Sequence, residues 1–173
     1  MKTIRLTNDE ELKIFMHPVR QRILHTLSIN GPMSVKMIAD AFEITSSSVK
    51  NHIMRLMELK IVEIDHQELI NGITATYYKR FLGTVSIASA ATEVREVLSQ
   101  NLLKQVQDGF YEKERQFRDK QGHFCADQLT GVVHLGKDEA DQLYKIIRDF
   151  LDNHERKGEN TSPFVYSLVT YRE

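Results

Sequence analysis

Apolar residues recur at steps of three and four along the first part of the chain, which predicts a series of short amphipathic helices. A capping-box pattern at Thr7-Asn8-Asp9-Glu10 starts the first helix near Asn8. Pro18 either kinks this helix or lies in the first turn of a second one, because a proline ring clashes with the carbonyl four residues back. Ser34 is a good N-cap for a short helix of about eight residues. A further helix is predicted between Thr45 and Lys60, with an apolar stripe at Val49, Ile53, Leu56 and Met57.

A β-hairpin is predicted after these helices. Ile61–Ile64 and Ile73–Tyr78 are rich in β-branched and aromatic residues. Between them lies Asn71-Gly72, the strongest two-residue signal for a hairpin turn. Because this pair is not central between the two runs, the loop or a bulge has to absorb several residues.

The second half of the chain predicts longer elements. Residues 92–119 carry an apolar residue at every fourth position, which predicts an amphipathic helix of about seven turns. Lys137–His154 predicts another helix, and the strands predicted over Gln128–Leu135 and Phe164–Tyr171 would pair beneath it. The fold class is therefore mainly α with a small β component (α+β). We expect a winged helix-turn-helix domain over 1–83, then a C-terminal region over 84–173 with a long helix and a strand-helix-strand arrangement.

Composition excludes several classes of protein. The chain is 41% hydrophobic and 27% charged, with eight glycines and three prolines, which is typical of a helical globular domain. Every uncharged stretch is much shorter than the roughly twenty apolar residues that a membrane-spanning helix needs. The N-terminus lacks the pattern of a signal sequence. We therefore expect a cytoplasmic protein without a membrane partner. Cys125 stands alone, which excludes an internal disulfide and a multi-cysteine zinc site. Neither a metal nor another cofactor is expected.

The charge distribution is only slightly asymmetric. The formal net charge is −1, and residues 1–83 hold eleven Lys and Arg against nine Asp and Glu. Bulk charge of this size does not attract nucleic acid strongly. Any affinity for DNA would have to come from the local placement of a few side chains.

Two short helices joined by a tight turn and followed by a hairpin form a winged helix-turn-helix, in which the second helix enters the DNA major groove. That groove is about 12 Å wide and admits one helix. The residues predicted to bind DNA all lie on the polar side of the helix between Thr45 and Lys60. They are Ser46, Ser47, Ser48, Lys50, Asn51 and Arg55.

Each of these residue types suits a particular contact. Serines at a helix N-terminus can approach phosphates closely, and Lys50 and Arg55 are candidates for phosphate contacts. The amide of Asn51 can bond N6 and N7 of adenine together. All of them can equally be ordinary solvated side chains. Arg20 and Arg22, earlier in the chain, could either clamp the DNA backbone or pair with acidic groups of the protein.

Several segments together resemble the ArsR-type winged-helix repressors. Residues 17–24 (His-Pro-Val-Arg-Gln-Arg-Ile-Leu) are similar to the "HPxRxxIL" opening of that family. Residues 49–53 (Val-Lys-Asn-His-Ile) with Leu56 resemble its "VSxHLxxL" recognition helix, and Ile61-Val62-Glu63 resembles its "LVE". The similarity covers roughly residues 8–82. It implies a homodimeric, sequence-specific transcriptional regulator, more often a repressor than an activator, that binds double-stranded DNA at an operator.

The sequence departs from the family pattern at three places. Lys60 occupies the position of a usual glycine, so a left-handed C-cap there would be strained by about 1 kcal/mol. The wing carries Asp65 and Glu68 but no arginine, which weakens any role in a minor groove. The recognition helix has no cysteine pair, and Asp152-x-His154 lacks a downstream partner motif, so the protein is predicted not to be a metal sensor.

Other functions remain as alternatives. No P-loop, dinucleotide-binding motif or nucleophile elbow is present, so no enzymatic activity is predicted. A winged-helix module for protein–protein interaction without DNA binding is the main rival, favoured by the near-neutral charge and the acidic wing. The stripe over residues 92–119 could be core or a dimer seam, and the seam is preferred. A small-molecule effector of unknown identity is a further candidate partner, and aromatic residues of the second half could line its pocket or simply form a core.

Overall fold

The computed structural model describes residues 2–87, 92–116, 127–155, 158–159 and 161–171. The chain divides into two compact units, residues 1–91 with 155–161 and residues 92–154 with 162–173. The predicted class, mainly α with a small β component, is confirmed. In chain order the described elements are β1 (Thr3–Arg5), α1 (Asp9–Met16), α2 (Pro18–Asn30), β2 (Met33–Ser34), α3 (Val35–Phe42), α4 (Ser46–Glu58), β3 (Val62–Ile70), β4 (Ile73–Arg80), β5 (Thr84–Ser86), α5 (Thr92–Gln116) and α6 (Lys137–Asn153).

The core of the first unit is built from the apolar stripes that the sequence shows. Side chains from α1 to α4 and from the start of β3 are buried together, and none of the buried residues is polar or charged among those described. Removing this apolar surface from water stabilises the unit at roughly 25 cal/mol per Å². The largest buried side chains include Ile23, Ile38, Ile53, Leu56 and Ile61.

The first two helices begin where their sequences predict, but a different glutamate completes the capping box of α1. Asn8 caps α1, and its side-chain oxygen accepts from the backbone N–H of Glu11 at 2.9 Å. The Glu11 carboxylate in turn accepts from the N–H of Thr7 at 2.6 Å, so the box is completed by Glu11 rather than by Glu10. Pro18 is the first residue of α2, where its missing N–H removes no hydrogen bond.

The hairpin has a tighter turn than the sequence pattern predicts. Asn71 and Gly72 both have positive φ, 50° and 79°, and Ile70 pairs directly with Ile73, as in a two-residue type I′ turn. The extra residues therefore belong to β3, and of the two expected alternatives, a longer loop or a bulge, the longer loop is absent between these strands. A register shift between Ile64 and His66 supplies the predicted bulge.

The described strands form two small sheets, one of which contains the hairpin. β2 and β3 both pair antiparallel with β4, and β1 pairs parallel with β5. Gly83 precedes β5 with φ 149°, and a Cβ added there would lie 2.4 Å from the Lys2 carbonyl oxygen, so only glycine fits. Its N–H donates to the Glu155 carboxylate at 3.0 Å, which ties residue 155 to the first unit. The three short strands β1, β2 and β5 were not predicted.

Lys60 has the left-handed backbone conformation that the family pattern implies, with φ 59°. Its N–H donates to the Met57 carbonyl and that of Ile61 donates to the Leu56 carbonyl, which satisfies two carbonyls at the end of α4. We expect Lys60→Gly to raise the free energy of unfolding by about 0.5–1 kcal/mol, because glycine has no Cβ to strain in this conformation. Urea denaturation measures the change. Lys60→Ala, which keeps the Cβ, should bring no such gain.

The second unit contains α5 and α6. The apolar stripe of α5 is partly covered, with Leu98 buried. α6 agrees with the predicted helix, and Glu139 in its first turn accepts from the N–H of Gly136 at 2.7 Å. No side chain of α6 is buried. In the described ranges, no helix combines the length and the apolar character that crossing a membrane requires.

The two strands predicted in the second unit are wrong. Gln128–Leu135 and Phe164–Tyr171 are exposed and belong to no sheet. A strand needs a neighbouring strand for its N–H and C=O groups, and no described segment of the chain pairs with either one. The Tyr144 and Thr170 hydroxyls do form a hydrogen bond, so the last segment is attached to α6 through side chains.

Some predicted features lie outside the described residues. These are the end of the long helix at 117–119 and the cysteine Cys125. They also include Arg156 and Lys157, which the charge pattern predicts at the end of the helix over Lys137–His154, and Phe117 and Phe124, two of the aromatic residues expected to line a pocket or form a core. The predicted division into domains 1–83 and 84–173 stays a prediction.

Candidate nucleic-acid interface

α3 and α4 form the two helices of a helix-turn-helix. Ser34 caps α3 through a bond from the N–H of Met37 to its hydroxyl at 3.3 Å. Glu43 then turns the chain with a left-handed φ of 55°, and the Ile44 N–H donates to the Ala39 carbonyl. Thr45 caps α4 in the same way as Ser34 caps α3. The two caps and the turn fix where α4 begins.

α4 has one buried and one exposed face. Val49, Ile53 and Leu56 are fully buried, whereas the opposite side is open to solvent. Because side chains at i, i+3, i+4 and i+7 share a face of a helix, the exposed face presents four neighbours in one row. They are Ser47, Lys50, Asn51 and Met54.

The structure keeps most of the predicted DNA-binding residues together on or beside this face. Ser46, Ser47, Lys50 and Asn51 are exposed. Ser48 is half-buried, and its N–H donates to the Thr45 hydroxyl at 3.2 Å. Their assignment to DNA stays a prediction. Met54 is exposed in the same row and was left out of the predicted set, because its residue type alone gave no signal of hydrogen bonding.

The two predicted phosphate contacts differ in their surroundings. Arg55 lies 3.0 Å from Glu58 in an ion pair, so part of its charge is already balanced. Lys50 has no carboxylate within 4.0 Å in the part of the chain that the structure describes. An exposed pair such as Arg55–Glu58 is worth about 0–1 kcal/mol, so a phosphate can still compete for Arg55. Lys50 is the more available cation.

Arg20 and Arg22 have partners within the protein. The Arg20 guanidinium donates to the carbonyls of Ile14 at 2.5 Å and Lys13 at 3.4 Å, which satisfies the C-terminal end of α1. Arg22 lies 4.3 Å above the ring centre of Phe42, a cation–π contact that joins α2 to α3. These contacts account for both arginines without DNA.

Two histidines meet where α1, α2 and α4 join. The rings of His17 and His52 have centroids 4.8 Å apart. His17 Nδ1 accepts from the N–H of Val19 at 3.2 Å, whereas His52 Nδ1 is buried without a hydrogen-bond partner. Burial lowers the pKa of His17, with Arg20 adding to the effect. Burial also lowers the pKa of His52, and His17 and Arg20 act in the same direction.

These pKa shifts predict a loss of stability in mild acid. Because both imidazoles bind protons more weakly in the folded state, their contribution is complete above the ordinary histidine pKa of about 6.5 and is lost as the pH falls below it. We expect the free energy of unfolding to decrease between about pH 7.5 and 5.5, and to decrease less in His52→Gln. Urea denaturation across this range measures both. The control His134→Gln removes an exposed histidine and should show the same decrease in the free energy of unfolding as the wild type. The same decrease in the wild type, His52→Gln and His134→Gln would contradict the role assigned to His52.

The wing is acidic along its sides and apolar at its tip. Lys79 lies 3.1 Å from Asp65 and 3.5 Å from Glu63 and is therefore already paired. At the tip, Leu69 and Ile73 are 72% and 74% exposed. The weak role of the wing in a minor groove stays a prediction.

Residues 15–65 match the helix-turn-helix domain family. The matched segment begins at the end of α1, contains α2, α3 and α4, and extends into β3. Residues 15–65 are a helix-turn-helix domain. With the β3–β4 hairpin as its wing, this part of the chain has the winged helix-turn-helix arrangement that the resemblance to ArsR-type regulators implies. Helix-turn-helix domains of this family belong to DNA-binding transcriptional regulators.

Solved structures of regulators are similar to part of the chain. Reduced HlyU from Vibrio cholerae is 19% identical, with 51% of this chain and 78% of that chain covered and a TM-score of 0.34. The homodimeric winged helix-turn-helix DNA-binding domain of a possible ArsR-family regulator from Mycobacterium bovis is 20% identical over 57% of this chain and 77% of that one, with a TM-score of 0.36. A transcriptional regulator homologue from Pyrococcus horikoshii is 23% identical over 58% and 96%, with a TM-score of 0.36. A comparison with curated proteins gives no match.

Neither a metal centre nor a ligand cavity stands out in the described residues. Among them, no three His, Cys, Asp or Glu side chains are grouped so that they could hold a metal ion. A cleft of about 180 Å³ lies between the end of α2 and the end of β4, with Ser28, Arg80 and Glu155 at its edge. This volume is below the 300 Å³ or more of usual ligand pockets.

Proposed function

We propose that the protein is a sequence-specific DNA-binding transcriptional regulator that acts as a homodimer on an operator, as a repressor. The observation that carries the proposal is the two-sided character of α4. Its apolar side is fully buried, and its row of hydroxyl, ammonium and amide groups is open to solvent. A helix of this kind fits the major groove, where base edges offer hydrogen-bond partners.

Ser46, Ser47, Ser48, Lys50, Asn51 and Arg55 form the proposed DNA surface. The first N–H groups of α4 and the serine hydroxyls approach phosphates, while Lys50 and Arg55 add charge at the backbone. Asn51 lies one turn further along the same face and bonds the edge of an adenine. The backbone contacts fix the position of the helix, and Asn51 contributes sequence specificity.

The second unit is proposed to form the dimer. α6 leaves Leu143, Ile146 and Phe150 exposed, and the segments 127–135 and 161–171 expose further apolar side chains. An apolar surface of this extent is normally covered by another molecule. A two-fold axis also matches an operator with inverted half-sites. An effector would act by changing the distance or angle between the two recognition helices.

Selection from a random pool of double-stranded DNA at about physiological salt tests the function. We expect enrichment of one sequence with two inverted half-sites, and a bound complex whose mass corresponds to two chains on one DNA. Affinity should fall steeply as salt rises, because bound phosphates release counterions. A pool without an enriched sequence, or binding without salt dependence, would contradict the proposal.

The alternative is a winged-helix module that binds another protein and no DNA. The observation that favours it is the acidic wing with its apolar tip at Leu69 and Ile73. It predicts that Leu69→Ser/Ile73→Ser abolishes capture of a partner, while no DNA sequence is enriched in the selection. DNA enrichment that survives this double substitution would instead support the regulator.

A further inference from the structure

Met54 is an apolar side chain in the middle of a polar row. It is 47% exposed and lies three residues beyond Asn51 and seven beyond Ser47 on the solvent-facing side of α4. Single exposed apolar residues are common on protein surfaces, so exposure alone carries no function. Its place matters because this is the side that the proposed function directs into the major groove.

The major groove presents only one large apolar group, the C5-methyl of thymine. Apart from the small C5–H of cytosine, the other features of the base edges there are hydrogen-bond donors and acceptors, which a thioether satisfies poorly. Methionine is unbranched and flexible, and its polarizable chain adapts to irregular apolar surfaces. A thymine methyl is therefore the base feature that Met54 fits.

The spacing along α4 links this contact to Asn51. Two residues three apart on a helix differ by about 4.5 Å along its axis, and neighbouring bases on a strand are about 3.4 Å apart. If Asn51 bonds an adenine, Met54 reaches the adjoining base pair. Lys50 lies beside them, exposed on the same face of α4.

We infer that Met54 is a specificity-determining residue that contacts the methyl group of a thymine next to the adenine read by Asn51. The inference rests on the proposed function. It narrows the operator half-site to one with adjacent A·T base pairs under α4.

Replacing thymine by deoxyuridine in the selected DNA tests this contact, because uracil lacks only the methyl group. Each thymine of one half-site is replaced in turn, and binding is measured by fluorescence anisotropy. For the wild-type chain we expect one of these replacements to weaken binding by about 3- to 5-fold, the effect of losing one buried methyl group. Met54→Ala should bind the thymine-containing site more weakly by a similar factor for each bound copy and should no longer distinguish thymine from uracil at that position.

Met37→Ala is the matched control. Met37 is 44% exposed but lies on α3, so its replacement should leave the distinction between thymine and uracil unchanged. Three results would overturn the inference while DNA binding itself stands. They are wild-type binding that is unchanged by every replacement, a selected half-site without adjacent A·T pairs, and a Met54→Ala variant that still distinguishes thymine from uracil. A chain that selects no DNA would overturn the proposed function and this contact with it.

Discussion

Leu56→Ala is expected to lower the free energy of unfolding by about 2–5 kcal/mol. Leu56 is fully buried in α4, beside Ile53 and Val49. The truncation removes apolar atoms from the core and leaves a cavity that a close-packed interior fills only in part. Urea denaturation followed by circular dichroism measures the loss. Because natural domains are stable by only about 5–15 kcal/mol, DNA binding should weaken as well.

Met54→Ala provides the matched control on the same helix. Met54 is about half exposed, so its truncation removes little buried surface and should change the free energy of unfolding by about 0.5 kcal/mol or less. The contrast between the two substitutions measures which side of α4 faces the core. Equal effects would mean that the helix is packed differently, and the polar face would then not be available to DNA.

Lys50→Ala/Arg55→Ala is expected to weaken DNA binding at every sequence and to reduce its dependence on salt. Each phosphate contact releases about 0.9 of a counterion, so the loss of two contacts should lower the slope of log affinity against log salt by about 2 for each bound copy. Lys50 should account for the larger share, because Arg55 is partly balanced by Glu58. Affinities measured between about 0.05 and 0.2 M salt give the slope.

A second double substitution controls for the loss of charge. Lys104→Ala/Lys145→Ala also removes two exposed lysines, each paired with an aspartate four residues later on its helix, but both lie outside residues 15–65. It should leave affinity and slope close to those of the wild type. An unchanged slope for Lys50→Ala/Arg55→Ala, or the same decrease in both variants, would remove the phosphate contacts assigned to α4.

The local part of the fold could be predicted from the sequence. Every helix of the helix-turn-helix follows from a cap and an apolar stripe, such as Thr45 with Val49, Ile53 and Leu56. These signals lie within a few residues of one another, so no knowledge of the rest of the chain is needed. The same holds for the Asn71-Gly72 turn, whose backbone conformation is a property of the two residues themselves.

Features that depend on distant partners could not be predicted. β1 and β5 are each three residues long, which is too short to show a pattern of apolar and polar residues. Each of them is a strand because it pairs with the other. Conversely, Gln128–Leu135 has the composition of a strand, but no described segment offers it a partner. Strand propensity describes how a side chain fits a sheet and does not supply the sheet.

The candidate site, like the fold, could be predicted only in part. The sequence showed which face of α4 is polar, and the structure exposes that face. It could not show that Arg20 is held by the carbonyls of Ile14 and Lys13, since that contact depends on how α1 and α2 meet at Pro18. The ion pair between Arg55 and Glu58 could have been predicted from the sequence, because residues three apart on a helix are neighbours.

The parallel pairing of β1 with β5 bears on the order in which the first unit folds. Thr3 lies beside Thr84, so the pair closes a loop that contains every other element of the helix-turn-helix and its wing. The entropy lost on closing a flexible loop increases with its length, whereas the hairpin turn at Asn71 joins strands that are already adjacent in sequence. We therefore expect the β1–β5 pairing to form last, once the intervening elements have shortened the distance between its strands, and to separate first when the unit unfolds.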